Sequence, residues 1–221
     1  MAEGPVSGSP AKPRVRMTGA QRRQQLLDVG REIFGQKGYE ATSIEEVAAR
    51  ADVSKPVVYE HFGGKEGLYA VVVDREMQRL LDRFASALSS PGHPRELLER
   101  AALVLLEYIE EDTEGFRVLT RDAPPVTSGV GTFSSLIGEV ARKVEHILAD
   151  QFAERGYDPQ LAELYSQALV GMVALVGQWW LDNRSPGKHE VAAHLVNLAY
   201  NGLAHLDPHP GLVHDRPDGR P

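Results

Sequence analysis

Residues 54–65 read SKPVVYEHFGGK, and the side chains able to do chemistry there do it without breaking a covalent bond. Lys55, Tyr59, His61 and Lys65 all carry hydrogen-bond donors, and two of them are cationic. If the segment is helical, Val58 and Phe62 fall at i and i+4 and hold one face to the protein body. That leaves Lys55, Pro56, Val57, Tyr59, Glu60 and His61 on or near the exposed side. Donors on a helix that stands clear of the surface suit phosphate oxygens and the base edges of a major groove about 12 Å wide. Competing chemistries are poorly represented. No cysteine is present and the eight histidines are scattered, with His205, His209 and His214 at or beyond the last helix, so no metal site is expected. Gly64-Lys65-Glu66 lacks the hydroxyl that ends a phosphate loop. No Ser-His-Asp or paired-carboxylate spacing stands out, so neither enzyme activity nor a cofactor is expected.

A preceding helix must position these donors. Ile44, Val47, Ala48 and Ala51 repeat at i, i+3, i+4 and i+7, giving an apolar stripe with Glu45, Glu46 and Arg50 facing water. Thr42 stands three residues before Glu45, the capping-box spacing. The amides at Thr42 and Ser43 are then expected as further phosphate ligands. Ala51-Asp52-Val53 forms the turn, and Ser54 is placed to cap the next helix, where Pro56 is tolerated near the start. Two helices joined by a short turn make a helix-turn-helix, here over residues 43–62.

Gly38-Tyr39, Thr42-Ser43-Ile44, Glu46-Val47-Ala48, Val53-Ser54, Val58-Tyr59, His61-Phe62, Lys65 and Leu68 together resemble the DNA-binding signature of the TetR family of transcriptional regulators. The likeness covers roughly residues 20–70; beyond it only the helical layout is similar. Pro56 stands where many members carry glycine. The resemblance implies an all-α protein with a three-helix DNA-binding domain at residues 18–66 and a helical domain at 67–206 that binds an effector and dimerises. Its partners would be a double-stranded DNA operator, a second copy of the chain and a small, largely apolar effector. Repression is the expected sign. A rival from another class is a helical lipid- or acyl-binding adaptor that does not touch DNA.

The net charge of −7 over 221 residues looks adverse to DNA binding until it is divided. Residues 1–65 hold ten Lys/Arg against eight Asp/Glu, and the remainder fourteen against twenty-three, so the acid lies away from the reading head. Residues 1–17 are rich in Gly, Ser, Pro and Ala and are expected to be a disordered arm; Lys12, Arg14 and Arg16 make it basic enough to follow a phosphate backbone. Residues 207–221, with four prolines, are expected to be an unstructured tail. No uninterrupted apolar run reaches the ~18 residues of a membrane span. A cytoplasmic protein without a membrane is expected.

Nine helices are expected in all. The first is Thr18–Lys37, stopped by Gly38, and the long one from Lys65 to Leu88 must link the head to the body. Helices follow at 95–112, 114–121, 133–155, 158–182 and 188–206. Phe84, Leu105, Tyr108, Phe116 and Phe133, with Tyr165, Leu169, Met172 and Trp179 from later helices, supply the lining of either a solid core or a cavity; the resemblance implies the cavity. Arg121, with Arg117 and Gln178, is a polar candidate for a ligand's head group. The helix at 158–182 is apolar nearly all round, and Gly171, Ala174 and Gly177 form a small-residue stripe along it. With Leu175 beside them, and Leu195, Leu198 and Gly202 on the last helix, they form the expected dimer seam.

Overall fold

The computed structural model describes residues 17–121 and 133–212. The basic arm, the Ala123-Pro124-Pro125 and Gly129-Val130-Gly131 interruptions and most of the C-terminal tail lie outside the described residues. The architecture is all-α: α1 (Gly19–Ala41), α2 (Ile44–Arg50), α3 (Lys55–Phe62), α4 (Lys65–Ser89), α5 (Pro94–Glu111), α6 (Thr113–Thr120), α7 (Phe133–Arg155), α8 (Ala162–Asn183) and α9 (Lys188–Ala204).

Thr18 opens α1 with a capping box, its hydroxyl accepting from the Gln21 amide at 3.2 Å while the Gln21 side chain accepts the Thr18 N–H at 2.9 Å. Gly38 breaks the helix at φ 81°, a left-handed conformation that glycine adopts at little cost. The chain then regains a last turn to Ala41 before α2. This shifts the expected cap by one residue. Ser43 caps α2 by accepting from the Glu46 amide at 3.2 Å. Thr42 is buried, its hydroxyl donating to Gly38 O at 2.7 Å and its N–H to Tyr39 O at 3.2 Å. Ser54 holds the N-cap position of α3 but makes no side-chain cap bond.

Phe34, Ile44, Val47, Val58 and Phe62 form the core of the head, joined by Leu68 and Val72 from the start of α4. The rings of Phe34 and Tyr39 each meet Tyr69 at 5.0 Å, edge to face. The first turns of α4 are therefore part of the head. Its later residues Leu80, Leu81 and Phe84 are buried in the body. Burying one such side chain contributes roughly 1.5–3 kcal/mol, so α4 is anchored firmly at both ends.

Helix α6 fastens the head to the body a second time. A Cβ on Gly35 of α1 would lie 2.7 Å from the Glu114 backbone oxygen, so only glycine permits this approach. Asp112 caps α6 by accepting from the Gly115 amide at 3.2 Å and forms ion pairs with Arg31 of α1 and, at 3.6 Å, with Arg79 of α4. Beside it Glu76 is 1% exposed and accepts from Tyr108 Oη at 2.8 Å and Arg79 at 2.9 Å. Burial, and then the Glu76 charge, push the Tyr108 hydroxyl far above its ordinary pKa, so it stays a donor.

In α8, Gly177 faces inward; a Cβ there would meet Leu105 Cδ2 at 2.8 Å. By length and composition alone, the stretch Pro159–Asn183 is apolar enough to cross a membrane, its most apolar 18 residues having a mean hydropathy of 1.2. Its apolar surplus divides between an inner face on the body's core and an outer face that is uncovered in the single chain.

Candidate nucleic-acid interface and effector cavity

Helix α3 turns Val58 and Phe62 inward and leaves Lys55, Pro56, Tyr59 and Glu60 exposed. Tyr59, 46% exposed, leans over the α3–α4 turn, where Gly63 (φ 73°) and Gly64 (φ 140°) change the chain's direction. Lys55 Nζ lies 5.8 Å from the centre of the Tyr59 ring and bonds Glu45 on α2. Val57 is half-buried and packs against the head's core. His61 is half-buried, with its carbonyl accepting from Arg23 of α1 at 2.9 Å. Lys65 donates to Glu40 O at 3.2 Å and sits 4.2 Å over the Tyr39 ring. The ammonium thereby closes the end of α1 and still borders the surface. Of the expected phosphate ligands, Ser43 is exposed and Thr42 is not: both of its polar groups are spent inside the chain.

Two contacts of the candidate interface are not legible in the sequence. Arg23 reaches across to α3, bonds the His61 carbonyl and lies 4.4 Å over the Phe62 ring, so it ties α3 to α1. Glu45 pairs with Lys55. The signal for Arg23 is tertiary and absent from the sequence, while Glu45 is visible only as a helix-start carboxylate. Further pairs, Lys37–Glu46 and Arg50–Glu32, tie α2 to α1.

In the body two neighbouring apolar chambers, together called the channel, share part of their wall among α4, α5, α7, α8 and α9. The inner chamber, about 70 Å³, is lined by Leu80, Phe84, Leu105, Phe133, Leu136 and Val173 among others. The outer, about 110 Å³, is lined by Leu97, Ile147, Leu148, Phe152 and Tyr200, with Gln151 and Arg155 as its polar members. Leu88, Leu98, Ala101, Val144 and Leu169 border both.

Of the residues expected to line a ligand cavity, Phe84, Leu105, Phe133 and Leu169 lie in the wall of the inner chamber. Phe116 stands behind the wall, 6.0 Å from the Phe133 ring, and Tyr108 is turned to Glu76. Tyr165 and Met172 line an open groove between α8 and α9, and Trp179 is 49% exposed. Arg121 points the other way, donating to Gln36 O at 3.3 Å and Phe34 O at 3.5 Å at the end of α1. Carbonyls that end a helix lack intrahelical partners, and that is what draws the guanidinium there.

The seam residues also separate into two sets. Leu175 and Leu198 are 67% and 65% exposed, and a Cβ on Gly171 or Gly202 would meet nothing within 4 Å. Ala174 and Leu195 are buried in the chain's own core, Ala174 as part of the channel wall. Helix periodicity forces this division, because Ala174 and Leu175 point about 100° apart.

Residues 26–72 match the family model described as bacterial regulatory proteins of the tetR family, and residues 83–213 match the tetracyclin repressor-like C-terminal domain. The chain is 29% identical over 187 residues to the HTH-type transcriptional activator FasR of Mycolicibacterium smegmatis, covering 84% of each. The crystal structure of a TetR-like transcriptional regulator from Rhodococcus sp. RHA1 is 32% identical and superposes with a TM-score of 0.71, over 86% of this chain and 99% of that one. A tetR-family regulator from Streptomyces coelicolor is 27% identical, with a TM-score of 0.66 over 85% and 82%.

Proposed function

The chain belongs to the TetR family and is a DNA-binding transcriptional regulator, and from that premise we propose that it grips a palindromic operator as a homodimer and releases it when an elongated, largely apolar effector fills the channel. One observation carries this reading: α4 is a wall of both sites. Leu68 and Val72 lie in the head's core, whereas Leu80, Phe84 and Leu88 line the channel. Nineteen residues separate Lys65 from Phe84, about 28 Å of helix at 1.5 Å per residue. A tilt of α4 by about 6° at the channel moves the head by roughly 3 Å. Two recognition helices must sit about 34 Å apart to enter successive major grooves, so a shift of that size spoils the fit. An effector that binds the wrongly spaced form better weakens DNA binding by the same coupling free energy.

The apolar lining favours an aliphatic effector, and Gln151 with Arg155 at the outer chamber favours a polar or anionic end. The uncovered face bearing Leu164, Leu175, Trp179 and Leu198 supports a second copy as the partner, since isologous contact would cover it on both chains. Operator release represses or activates according to where the operator lies relative to the promoter. Repression stays our proposal for this chain, although FasR is named an activator. The adaptor reading uses the channel alone and leaves the exposed Lys55 and Tyr59 without a task.

To test this, duplexes selected from a randomised library are titrated by fluorescence anisotropy, with the oligomeric state followed by sedimentation, while straight-chain carboxylic acids of increasing length are added. Operator affinity is expected to fall as the chain lengthens until the channel is full. Affinity indifferent to chain length, or an operator held by a single copy, would refute the proposal.

A further inference from the structure

The ion pair between Glu45 and Lys55 joins the first turn of α2 to the first residue of α3. Both side chains are exposed, at 63% and 48%, and a surface pair of this kind contributes little to stability. Its position gives it a different use. Lys55 Nζ also lies over the Tyr59 ring, so the pair sits on the outward face of α3, opposite Val58 and Phe62. The Lys55 bond holds the Glu45 carboxyl below its ordinary pKa and raises that of Lys55, so both are charged at neutral pH.

A lone ammonium on this face would bind phosphate at every sequence. A carboxylate beside it repels phosphate and demands a hydrogen-bond donor next to the acceptors that Lys55 seeks. In the major groove guanine offers two acceptors, N7 and O6, and its cytosine offers the N4 amino donor. A carboxylate accepts several bonds, so the one taken by Lys55 leaves capacity for another. We propose that Glu45 is a specificity-determining residue, and that the Glu45–Lys55 pair reads one G·C pair in each half-site. Lys55 donates to guanine and Glu45 accepts from cytosine N4, while the carboxylate holds down binding to unrelated DNA. This rests on the regulator reading above and adds the residue and the base pair.

The full-length protein and three variants, Glu45→Ala, Lys55→Met and the charge swap Glu45→Lys with Lys55→Glu, are each used to select duplexes from a randomised library. The selected duplexes and a scrambled duplex are then titrated at two salt concentrations. Glu45→Ala is expected to lose about tenfold discrimination at one position of each half-site, the size of one base contact, and to bind the scrambled duplex several-fold more tightly. The swap is expected to exchange G·C for C·G at that position. All variants should melt with the parent. An unaltered base preference in Glu45→Ala overturns this inference alone. Failure of the parent to select any sequence overturns the regulator reading and this one with it.

Discussion

Two glycines six residues apart on α8 distinguish the proposed seam from the core. A Cβ on Gly171 meets nothing within 4 Å of its own chain, whereas one on Gly177 would lie 2.8 Å from Leu105 Cδ2 and 3.2 Å from Ile109 Cδ1. Gly171→Leu therefore costs the single chain nothing in packing and gains about 0.5–1 kcal/mol by removing a helix-interior glycine. If α8 and α9 meet their two-fold mates on this face, the same leucine overpacks the seam at about 1–3 kcal/mol per site. The two-fold doubles that to roughly 2–6 kcal/mol, a dissociation constant raised about 30-fold to more than 10,000-fold. Operator affinity falls with it, because a single head lacks the effective concentration its tethered mate supplies. Gly177→Val instead forces Leu105 toward the channel and costs about 1–3 kcal/mol of folding stability, some 2–12 °C in Tm at this chain length, with the dimer kept. Sedimentation, operator titration and melting at two protein concentrations separate these outcomes, since a chain stabilised by dimerisation melts higher when concentrated. A Gly171→Leu protein that stays dimeric with parental operator affinity would refute the seam. A Gly177→Val protein that dissociates without losing stability would refute the division of the two faces.

Tyr59→Phe and Lys65→Ala should each weaken binding to selected and scrambled duplexes alike, and Lys65→Ala, which removes a cation, should also flatten the salt dependence by about 0.9; a changed base preference would count against a phosphate role. Lys65→Ala should also lower the Tm slightly, because Lys65 bonds the Glu40 carbonyl. In Gly67→Ala the new Cβ would sit 1.9 Å from the Phe62 carbonyl oxygen, so the α3–α4 junction must open. DNA affinity should collapse while circular dichroism still reports a helical protein, and parental affinity would show the junction to be soft. Tyr108→Phe deprives the buried Glu76 of a donor at 2.8 Å and should cost about 1–3 kcal/mol of stability in a urea titration; an unchanged midpoint would mean that another group satisfies the carboxylate.

Each helix expected from the sequence is present, with ends displaced by a few residues, because helix formation is governed by local periodicity and by punctuation such as Gly38, Ser54-Lys55-Pro56 and Asp158-Pro159. The head's inner face was legible for the same reason: Val58 and Phe62 are the apolar pair of an otherwise polar helix. Decisions between near-equivalent neighbours were not legible. Thr42 and Ser43 both suit a cap, and only the turn after Gly38, which buries Thr42, selects Ser43. Gly171, Ala174 and Gly177 form one stripe in sequence, but no polar residue lies between Gln167 and Gln178 to mark which side of that stretch faces inward. Arg121 looked available to a ligand because its true partners, the carbonyls of Phe34 and Gln36, lie more than eighty residues away.

Those distant contacts bear on how a filled channel reaches the head. Along α4 the path is a single rod, which bends gently under load. Helix α6 supplies a second path with stiffer joints. Its Phe116 stands edge-on to Phe133 in the channel wall. At one end Glu114 lies against Gly35 too closely for any other residue, and Arg121 at the other holds the carbonyls that close the first part of α1. Just ahead of Glu114, the N-cap Asp112 binds Arg31 of α1 and Arg79 of α4, so α1 and α6 cannot slide past one another without breaking several polar contacts. If an effector fills the channel as proposed, moving the wall at Phe133 would move α6, and α6 would carry α1, on which α2 and α3 are mounted. With α4 displaced by the same ligand, the proposed mechanism has the head rotate as a unit rather than unfold, so that the spacing between the two heads of a dimer is what the channel would control.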